Sequence, residues 1–303
     1  MTRRLGATVG EVLPGIAERL RRAGVDSARL DARMLVAEVL GAEPLAVVAH
    51  PEWPLDADAA KRLAAMVVRR ESREPMSHIL GRREFWSLRF KVSADTLTPR
   101  PDSETLVEAV LDVVPDRRAP LRIVDFGTGS GCLLLALLSE LPAARGLGID
   151  LSHAALAVAR GNAASLGMAE RAEFRSGDWG SGLAGIFDVI VSNPPYIGED
   201  EIAGLEAEVS SFEPRLALAG GPDGLECYRR LAPDILRLLA PRGIAAVEIG
   251  QGQADEVSAL FREGGAMVAV RRDLAGIERC VVVRREETSS DQKKGIGMPQ
   301  SSD

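Results

Sequence analysis

The chain contains 303 residues, of which 46% are apolar and 27% are charged, a composition typical of a globular protein long enough for two domains. Its three cysteines and three histidines are scattered, which argues against a disulfide framework and against a zinc site. The net charge of −7 is unevenly distributed along the chain: residues 1–97 carry a net charge of +3 and residues 98–303 carry −10. The acidic larger part argues against direct nucleic-acid binding, which depends on neutralising phosphates.

The apolar segments are too short for a membrane span, since the longest uninterrupted one extends only from Cys132 to Leu138. The N-terminal sequence MTRRLGATVGEVL lacks the apolar core of a secretory signal. We therefore expect a cytoplasmic protein with no membrane partner and no bound metal.

Residues 1–83 have a helical pattern. Thr8 and Glu11 have the spacing of a capping box, and apolar residues follow at helical intervals. Asp26 and Asp56 are candidate N-caps of two further helices, and Gly41 is a candidate helix end. The pattern predicts a small helical bundle, and a substrate-docking role for it is a hypothesis.

Residues 84–97 alternate between apolar and polar side chains, which predicts a short β-hairpin linking the bundle to the rest of the chain. From residue 121 the pattern alternates between strands and helices. This alternation predicts a mostly parallel sheet with helices on both faces, within a domain spanning residues 98–287. The last segment, 288–303, is polar and aperiodic, which predicts a disordered tail. The predicted strands lie at 121–126, 145–150, 172–176, 187–192 and 243–250, with two more near 266–272 and 280–284.

A glycine-rich turn follows the first predicted strand of this domain, with the sequence DFGTGSG from Asp125 to Gly131. Glycines permit a tight turn and close approach of a ligand to the backbone. The pattern DxGxGxG differs from the GxGxxG of dinucleotide enzymes, and no Gly-Lys-Ser/Thr follows, which excludes a P-loop. An acidic residue before the first glycine repels pyrophosphate and suits a cationic or hydroxyl-rich ligand. S-adenosylmethionine has these properties.

Two further segments support the same cofactor. Asp150 ends the next predicted strand, where its carboxylate can accept hydrogen bonds from both ribose hydroxyls. Asp178 and Trp179 follow the third predicted strand, in a loop expected beside the adenine. Asp178 could accept from the exocyclic amine, and Trp179 could pack against the ring.

The second chemical signal is Asn193-Pro194-Pro195-Tyr196, directly after an apolar strand. The two prolines end the strand and fix the direction of the backbone carbonyls. A planar NH2 group could donate to the Asn193 side-chain oxygen and to the Pro194 carbonyl, which would direct its nitrogen at a methyl donor. Tyr196 could pack on the face of the same planar group.

In this order, the motifs resemble those of S-adenosylmethionine-dependent amino-methyltransferases, and within them the chain resembles the release factor glutamine methyltransferases. The resemblance covers about residues 5–285. The run from Arg82 to Glu108 and the segment that begins with Phe212-Glu213-Pro214 are more specific to this family than the Asn-Pro-Pro-Tyr motif. The segments that carry the resemblance are GRREFWSLRFKVSADTLTPRPDSETLVE (81–108), DFGTGSG (125–131), GDW (177–179), SNPPYI (192–197), FEPRLALAGGPDGLECYRRL (212–231) and EIGQGQ (248–253).

The resemblance implies an α/β protein with a Rossmann-like class I methyltransferase domain, preceded by the helical bundle and the hairpin linker. It also implies the substrate: the glutamine of the Gly-Gly-Gln motif in peptide chain release factors, methylated on its side-chain amide nitrogen to modulate translation termination. We expect a monomer. The expected cofactor-binding residues are Gly127, Thr128, Gly129, Ser130, Gly131, Asp150, Asp178, Trp179 and Asn193. The expected catalytic residues are Asn193, Pro194 and Tyr196, and the expected substrate-binding residues are Asn193, Pro194, Pro195 and Tyr196.

Three other functions stay open at this point. A DNA adenine methyltransferase would present a flipped base to the same kind of motif, although the acidic charge argues against it. A ribosomal-protein glutamine methyltransferase would use identical chemistry. A binding module without catalytic activity is the third, and the intact motifs argue against it.

Five other side chains are weaker candidates. Arg100 and Glu104 either line the cofactor pocket or only begin a helix. Glu213 and Arg215 could pair with each other or support the Asn-Pro-Pro-Tyr loop. For Glu248, near a strand end, a structural role suffices.

Overall fold

The computed structural model describes residues 7–285, and these residues form two compact units. The first unit runs to Arg82 and also includes Leu205–Phe212, which the sequence pattern places in the second domain. The second unit comprises Arg83–Gly204 and the chain from Glu213 onward. The predicted domain limits stay predictions, and the predicted disordered tail lies outside the described residues.

Five helices precede the first strand of the described chain, and strands and helices then follow one another. The helices are α1 (Val9–Arg22), α2 (Ala28–Leu40), α3 (Pro44–Ala49), α4 (Ala57–Glu71), α5 (Met76–Leu80), α6 (Glu104–Leu111), α7 (Cys132–Glu140), α8 (His153–Ser165), α9 (Ala207–Ser210), α10 (Glu226–Leu238) and α11 (Ala254–Glu263). The strands are β1 (Arg82–Phe85), β2 (Leu88–Lys91), β3 (Arg122–Phe126), β4 (Arg145–Asp150), β5 (Ala172–Ser176), β6 (Phe187–Ser192), β7 (Leu239–Glu248), β8 (Ala266–Arg272) and β9 (Glu278–Arg285).

Three of the four predicted helix ends of the first unit are present, including Gly41, which is the C-cap of α2 with a left-handed φ of 63°. The Thr8 amide donates to the Glu11 carboxylate at 2.8 Å, as a capping box requires. Asp56 accepts a hydrogen bond from the Ala59 amide at 2.7 Å and begins α4. The prediction for Asp26 is wrong, because Ser27 is the N-cap of α2.

A buried ion network holds α9 in the first unit. Arg70, 5% exposed, donates to the Asp31 carboxylate at 2.8 Å and to the Glu208 carboxylate at 2.8 Å. Arg73 forms a two-pronged pair with the same Glu208, at 2.7 and 2.6 Å. These hydrogen bonds lower the pKa of Glu208 to about 2 against the opposing effect of its burial. Because one partner of the network lies more than a hundred residues away, the sequence pattern does not reveal it.

The second unit is built on a sheet whose strand order, within residues 7–285, is β5-β4-β3-β6-β7-β9-β8. Strands β3 to β7 pair in parallel, whereas β9 is antiparallel to both β7 and β8. The chain proceeds from β3 outward to β5 and then returns to the other side of β3 with β6. In a doubly wound sheet, this change of direction opens a crevice at the carboxyl ends of the strands.

Both faces of the sheet are buried, because neighbouring residues of each strand point to opposite sides. Ile123 of β3 packs in the cluster that contains the apolar residues of α6, α7 and α8. The next residue, Val124, packs in the cluster that contains those of α10 and α11. The helices thus cover both faces, as the alternating pattern predicts.

The predicted linker hairpin is formed by β1 and β2. Its two-residue turn, Trp86-Ser87, has φ values of 51° and 56°, the left-handed geometry of a tight hairpin turn. Phe85 and Phe90 pack edge to face at 6.3 Å in the core of the second unit. The Trp86 amide donates to Glu104 at 2.7 Å, so this weaker candidate anchors the hairpin.

Candidate functional site

The sheet register brings the carboxyl ends of four strands to one edge. Phe126 at the end of β3 pairs with Ile149 of β4 on one side and with Ser192 of β6 on the other. Ser192 in turn pairs with Val247 of β7. Because parallel strands run in the same direction, the residues that follow these pairs emerge next to one another. The motifs singled out from the sequence therefore meet at this edge.

The glycine-rich turn between β3 and α7 has the left-handed backbone for which glycine is suited. Gly127, Gly129 and Gly131 have φ values of 70°, 54° and 80°. The amides of Gly127 and Thr128 both donate to the Ile149 carbonyl at 2.9 Å, which fixes the turn to β4. A Cβ at Gly127 would lie 3.5 Å from the Trp179 ring and would fill space that the turn leaves open.

Asp150 has the position and the bonding expected of a ribose acceptor. Its Oδ2 accepts from the Gly129 amide at 2.8 Å, and its Oδ1 accepts from the Ser152 amide at 2.8 Å. These bonds hold the carboxylate rigidly at the end of β4. Each carboxylate oxygen can accept more than one hydrogen bond, so both retain capacity for a ligand.

Asp178 and Trp179 lie together after β5 with unused hydrogen-bonding capacity. Trp179 has a φ of 50°, an uncommon conformation for a residue other than glycine. Among the described residues, Asp178 Oδ1 and Trp179 Nε1 are buried without a hydrogen-bond partner. The other oxygen of Asp178 accepts from the Arg230 guanidinium. An unpartnered acceptor and donor beside an aromatic ring suit a planar base with an exocyclic amine.

Asn193 emerges between β3 and β7. Its side-chain Nδ2 donates to Ser103 Oγ at 3.2 Å, and Ser103 is itself buried. Tyr196 is held through its backbone carbonyl, which accepts from Gln253 Nε2 at 3.0 Å. Burial, with the nearby Glu248 carboxylate, raises the pKa of Tyr196 to about 12, so its hydroxyl stays neutral at physiological pH.

A cavity of about 320 Å³ opens at this edge of the sheet. Four acidic and two basic side chains line it: Asp95, Asp150, Glu199 and Glu226, and Arg100 and Arg230. This excess of acidic groups favours a cationic ligand over a nucleotide polyphosphate. The predicted site residues along its wall are Gly127, Thr128, Gly129, Asp150, Trp179, Asn193 and Pro195.

The remaining predicted residues are adjacent to the cavity wall in sequence but are not part of it. Gly131 caps α7 with a left-handed φ of 80°, and a Cβ would approach Ala159 and Leu135 to 3.3 Å, so both the backbone and the packing favour glycine there. The ligand roles assigned to these residues stay predictions. They are Ser130, Gly131, Asp178, Pro194 and Tyr196.

Two walls of the cavity were not predicted from the sequence motifs, except for Arg100, which was a weaker candidate. Residues 95–100 form one of them, and residues between 214 and 221 contribute to the other. Both walls fall within segments that carry the family resemblance, 81–108 and 212–231, and that overlap was the available signal. Neither segment contains a residue pattern that by itself indicates a ligand.

Glu213 joins these two walls and does not pair with Arg215, so that possibility is corrected. Its carboxylate, almost fully buried, accepts from Arg100 at 2.7 Å and from the Thr98 amide at 3.2 Å. The interaction ties the segment after the hairpin to the one after the Asn-Pro-Pro-Tyr motif. Arg100 lines the cavity, as one of the two interpretations of the sequence predicts.

Two carboxyl groups near the cavity are fully buried. Burial raises the pKa of Asp125 to about 7, although Thr128 Oγ1 donates to it at 2.7 Å. Burial also raises the pKa of Glu248 to about 7, and hydrogen bonds from Ser103 and Asn193 only partly oppose this shift. Exclusion of water makes the charged form of each carboxyl group less stable than it is in solution, so each group binds its proton up to a higher pH.

These two groups predict a pH dependence of stability. Between their unfolded values, 3.8 and 4.5, and about 7, the native state binds more protons than the unfolded state. The free energy of unfolding of the cofactor-free protein should therefore fall as pH rises through this window. Urea denaturation across the range measures the slope, and Asp125→Asn and Glu248→Gln should each reduce it. Stability that rises with pH in the same window would contradict the assignment.

Two family models match the chain. The PrmC N-terminal domain matches residues 11–81, and a methyltransferase domain matches residues 118–293. None of the helices within residues 7–285 has the length and apolar character needed to cross a membrane.

Two similar relatives are both release factor glutamine methyltransferases. The protein of Rhodospirillum rubrum is 51% identical over 278 residues, covering 91% of this chain and 85% of the relative. The protein of Caulobacter vibrioides is 48% identical over 267 residues, covering 88% of this chain and 92% of the relative.

A solved structure of the hMettl16 catalytic domain in complex with MAT2A 3′UTR hairpin 6 is similar in fold alone. It has a TM-score of 0.54 and 16% identity, with 77% of this chain and 83% of that chain covered. The methyltransferase family model and the sheet order confirm the predicted class I methyltransferase fold.

Proposed function

Because the chain belongs to the release factor glutamine methyltransferase family, we propose that it methylates the glutamine of the Gly-Gly-Gln motif in peptide chain release factors. The transferred group comes from S-adenosylmethionine, and the acceptor is the side-chain amide nitrogen. The observation that carries this proposal is the position of Asn193 on the wall of a cavity that also contains Gly127, Asp150 and Trp179.

The residues of this cavity fit S-adenosylmethionine, which supplies a methyl group activated by a sulfonium. Asp150 would hold the ribose hydroxyls. Asp178, which directly precedes the cavity residue Trp179, would accept from the adenine amine with its unpartnered Oδ1. Gly127 leaves space beside the Trp179 ring that a Cβ would occupy. The acidic wall complements a ligand that carries a net positive charge.

Asn193 and Pro194 would hold the substrate amide. Its two N–H groups would donate to Asn193 Oδ1 and to the Pro194 carbonyl, which the proline ring fixes in direction. A carboxamide nitrogen is a weak nucleophile because its lone pair is delocalised into the carbonyl. As the nitrogen gains positive charge during attack, these two acceptors bind it more strongly than they bind the ground state.

The reaction balances without a protein acid. S-adenosylmethionine would supply its methyl carbon to the amide nitrogen and would leave as a neutral thioether, with the electron pair of the broken carbon–sulfur bond on sulfur. The nitrogen then loses one proton to solvent. The chain's contribution is to bind, align and exclude water from the reacting groups.

The partner we propose is the release factor alone, bound by a monomer in the cytoplasm without nucleic acid or membrane. The acidic charge of residues 98–303 supports the absence of nucleic acid.

The test uses tritiated S-adenosylmethionine and a release factor in two forms, wild type and with the glutamine of Gly-Gly-Gln changed to alanine. We expect label in the wild-type factor alone. A matched control is the same assay with a ribosomal-protein fraction and with DNA. Label in ribosomal protein or in DNA, but not in the release factor, would overturn the proposal in favour of that substrate.

A further inference from the structure

Glu248 is a buried carboxyl group that the proposed reaction does not use. It ends β7 and is 1% exposed. Because Val247 pairs with Ser192 in the parallel register, Glu248 emerges beside Asn193. Its Oε2 is buried and, within the part of the chain that the structure describes, has no hydrogen-bond partner.

The amide of Asn193 points its nitrogen toward this carboxyl group. Nδ2 donates to Ser103 Oγ at 3.2 Å. Hydrogen bonding from Ser103 and Asn193 lowers the pKa of Glu248, so both side chains lie within reach of its carboxyl group. Oδ1 lies at the other end of the same planar group. The neighbours of Nδ2 therefore decide which atom of the amide is offered to a ligand.

We propose that Glu248 is a positioning residue that keeps Asn193 Oδ1 directed at the substrate amide by holding Nδ2 on the opposite side. This inference rests on the proposed function of Asn193. A carboxylate only accepts hydrogen bonds, so it accommodates Nδ2 and repels Oδ1. A protonated carboxyl group can donate a hydrogen bond to Oδ1, which permits the Asn193 amide to rotate by about 180°. In that orientation Asn193 presents the two N–H donors of Nδ2 to the substrate amide, which is also a donor and therefore cannot bind.

Several charged or titratable groups surround Glu248. Arg279 of β9 faces it, but this arginine also pairs with Asp102 at 3.3 Å and with Asp273 at 3.4 Å. The remaining groups are neutral at physiological pH, because burial raises the pKa of each of them. They are Tyr196 in the Asn-Pro-Pro-Tyr motif, Tyr228 of α10, Cys132 of α7 and Cys280 of β9.

Burial raises the pKa of Glu248 by more than Ser103, Arg279 and Asn193 lower it. With a pKa raised to about 7, the group changes state within the range of an ordinary enzyme assay.

The chain offers a direct readout, because it contains two asparagines, Asn162 and Asn193. Selective ¹⁵N-asparagine labelling therefore yields two side-chain NH2 signals, which Asn193→Ala assigns. Asn162 is an internal control, since its Nδ2 donates to the backbone carbonyls of Lys91 and Ser130. We expect the Asn193 signal to titrate with a midpoint near the pKa of Glu248, and this titration to disappear in Glu248→Gln.

Activity provides the second readout, at saturating S-adenosylmethionine and release factor. In the wild type, kcat should fall as pH drops through the pKa of Glu248 and should level off at about a tenth of its alkaline value. Glu248→Gln should lose this acidic limb and should lower kcat about tenfold at alkaline pH, since its amide stabilises both orientations of Asn193. KM and the Kd of S-adenosylmethionine should change little. Glu173→Gln, an exposed partner of Arg175, is the matched control.

The proposal is overturned if the Asn193 signal does not titrate, or if it titrates equally in Glu248→Gln. Ser103→Ala tests it without changing Glu248: the titration should persist, and its loss would assign the positioning role to Ser103. A wild-type enzyme that fails to methylate any release factor would overturn the proposed function instead. The amide titration would remain measurable in that case.

Discussion

Replacing Asn193 with alanine is expected to lower kcat by about 100- to 1000-fold. This is the effect of removing one preorganised hydrogen-bonding group that stabilises a transition state, such as an oxyanion-hole donor. The variant removes the Oδ1 acceptor but leaves the backbone of the proline-fixed loop in place. The substrate amide would then lose alignment as well as stabilisation of its developing charge. The measurement is single-turnover transfer of tritium to the release factor, with both substrates saturating.

The Kd of S-adenosylmethionine should change less than about threefold in the same variant, because the proposed cofactor contacts are mainly in the loops after β3, β4 and β5. Calorimetric titration measures this, and thermal melting checks that the variant is folded. A parallel loss of cofactor affinity and turnover would contradict the role assigned to Asn193. It would indicate instead that this side chain supports the cavity wall.

Replacing Asp150 with alanine is expected to weaken binding of S-adenosylmethionine by about 100-fold. Two hydrogen bonds from ribose hydroxyls to a charged acceptor contribute about 3 kcal/mol together, which corresponds to this change in Kd. The variant also releases the amides of Gly129 and Ser152, so the glycine-rich turn loses its attachment to β4. Titration of the cofactor in the absence of release factor isolates this effect from catalysis.

Asp188→Ala is the matched control. Asp188 also accepts a backbone hydrogen bond, from the Arg122 amide at 2.8 Å, but it lies at the amino end of β6, away from the cavity. We expect this control to keep the wild-type Kd. If both variants weaken binding equally, the effect of Asp150→Ala reflects loss of sheet stability and not loss of a ribose contact.

The two variants separate binding from chemistry at a single edge of the sheet. Asp150→Ala should raise the cofactor concentration needed for half-maximal activity and leave part of kcat at saturation. Asn193→Ala should lower kcat even at saturation and should change the required cofactor concentration little. The division follows from the topology, because Asp150 ends a strand on one side of β3 and Asn193 follows a strand on the other.

Local patterns were sufficient for most of the secondary structure. The predicted strands at 145–150, 172–176 and 187–192 coincide with β4, β5 and β6. The caps at Thr8 and Asp56 are present because capping needs only residues three positions apart. The sequence pattern was less reliable for strand boundaries that depend on tertiary contacts. Strand β7 begins at Leu239, four residues before the predicted start at residue 243.

Asp26 is a case in which a local signal was overridden. The amide of Val25 bonds back to the Leu20 carbonyl at 3.0 Å, and Gly24 takes a left-handed φ of 78°. This ending of α1 places Val25 in the core and delays the start of the next helix to Ala28.

The sequence by itself determined the α/β class, the glycine-rich turn and the Asn-Pro-Pro-Tyr motif, because periodicity, glycine and proline act over a few residues. Only the tertiary structure decided that Glu213 pairs with Arg100 and that Glu248 lies beside Asn193. Those contacts join residues dozens to more than a hundred positions apart, and strand order and register set them. Burial then decides their charge state, because a carboxyl group loses its hydration only when the whole fold encloses it.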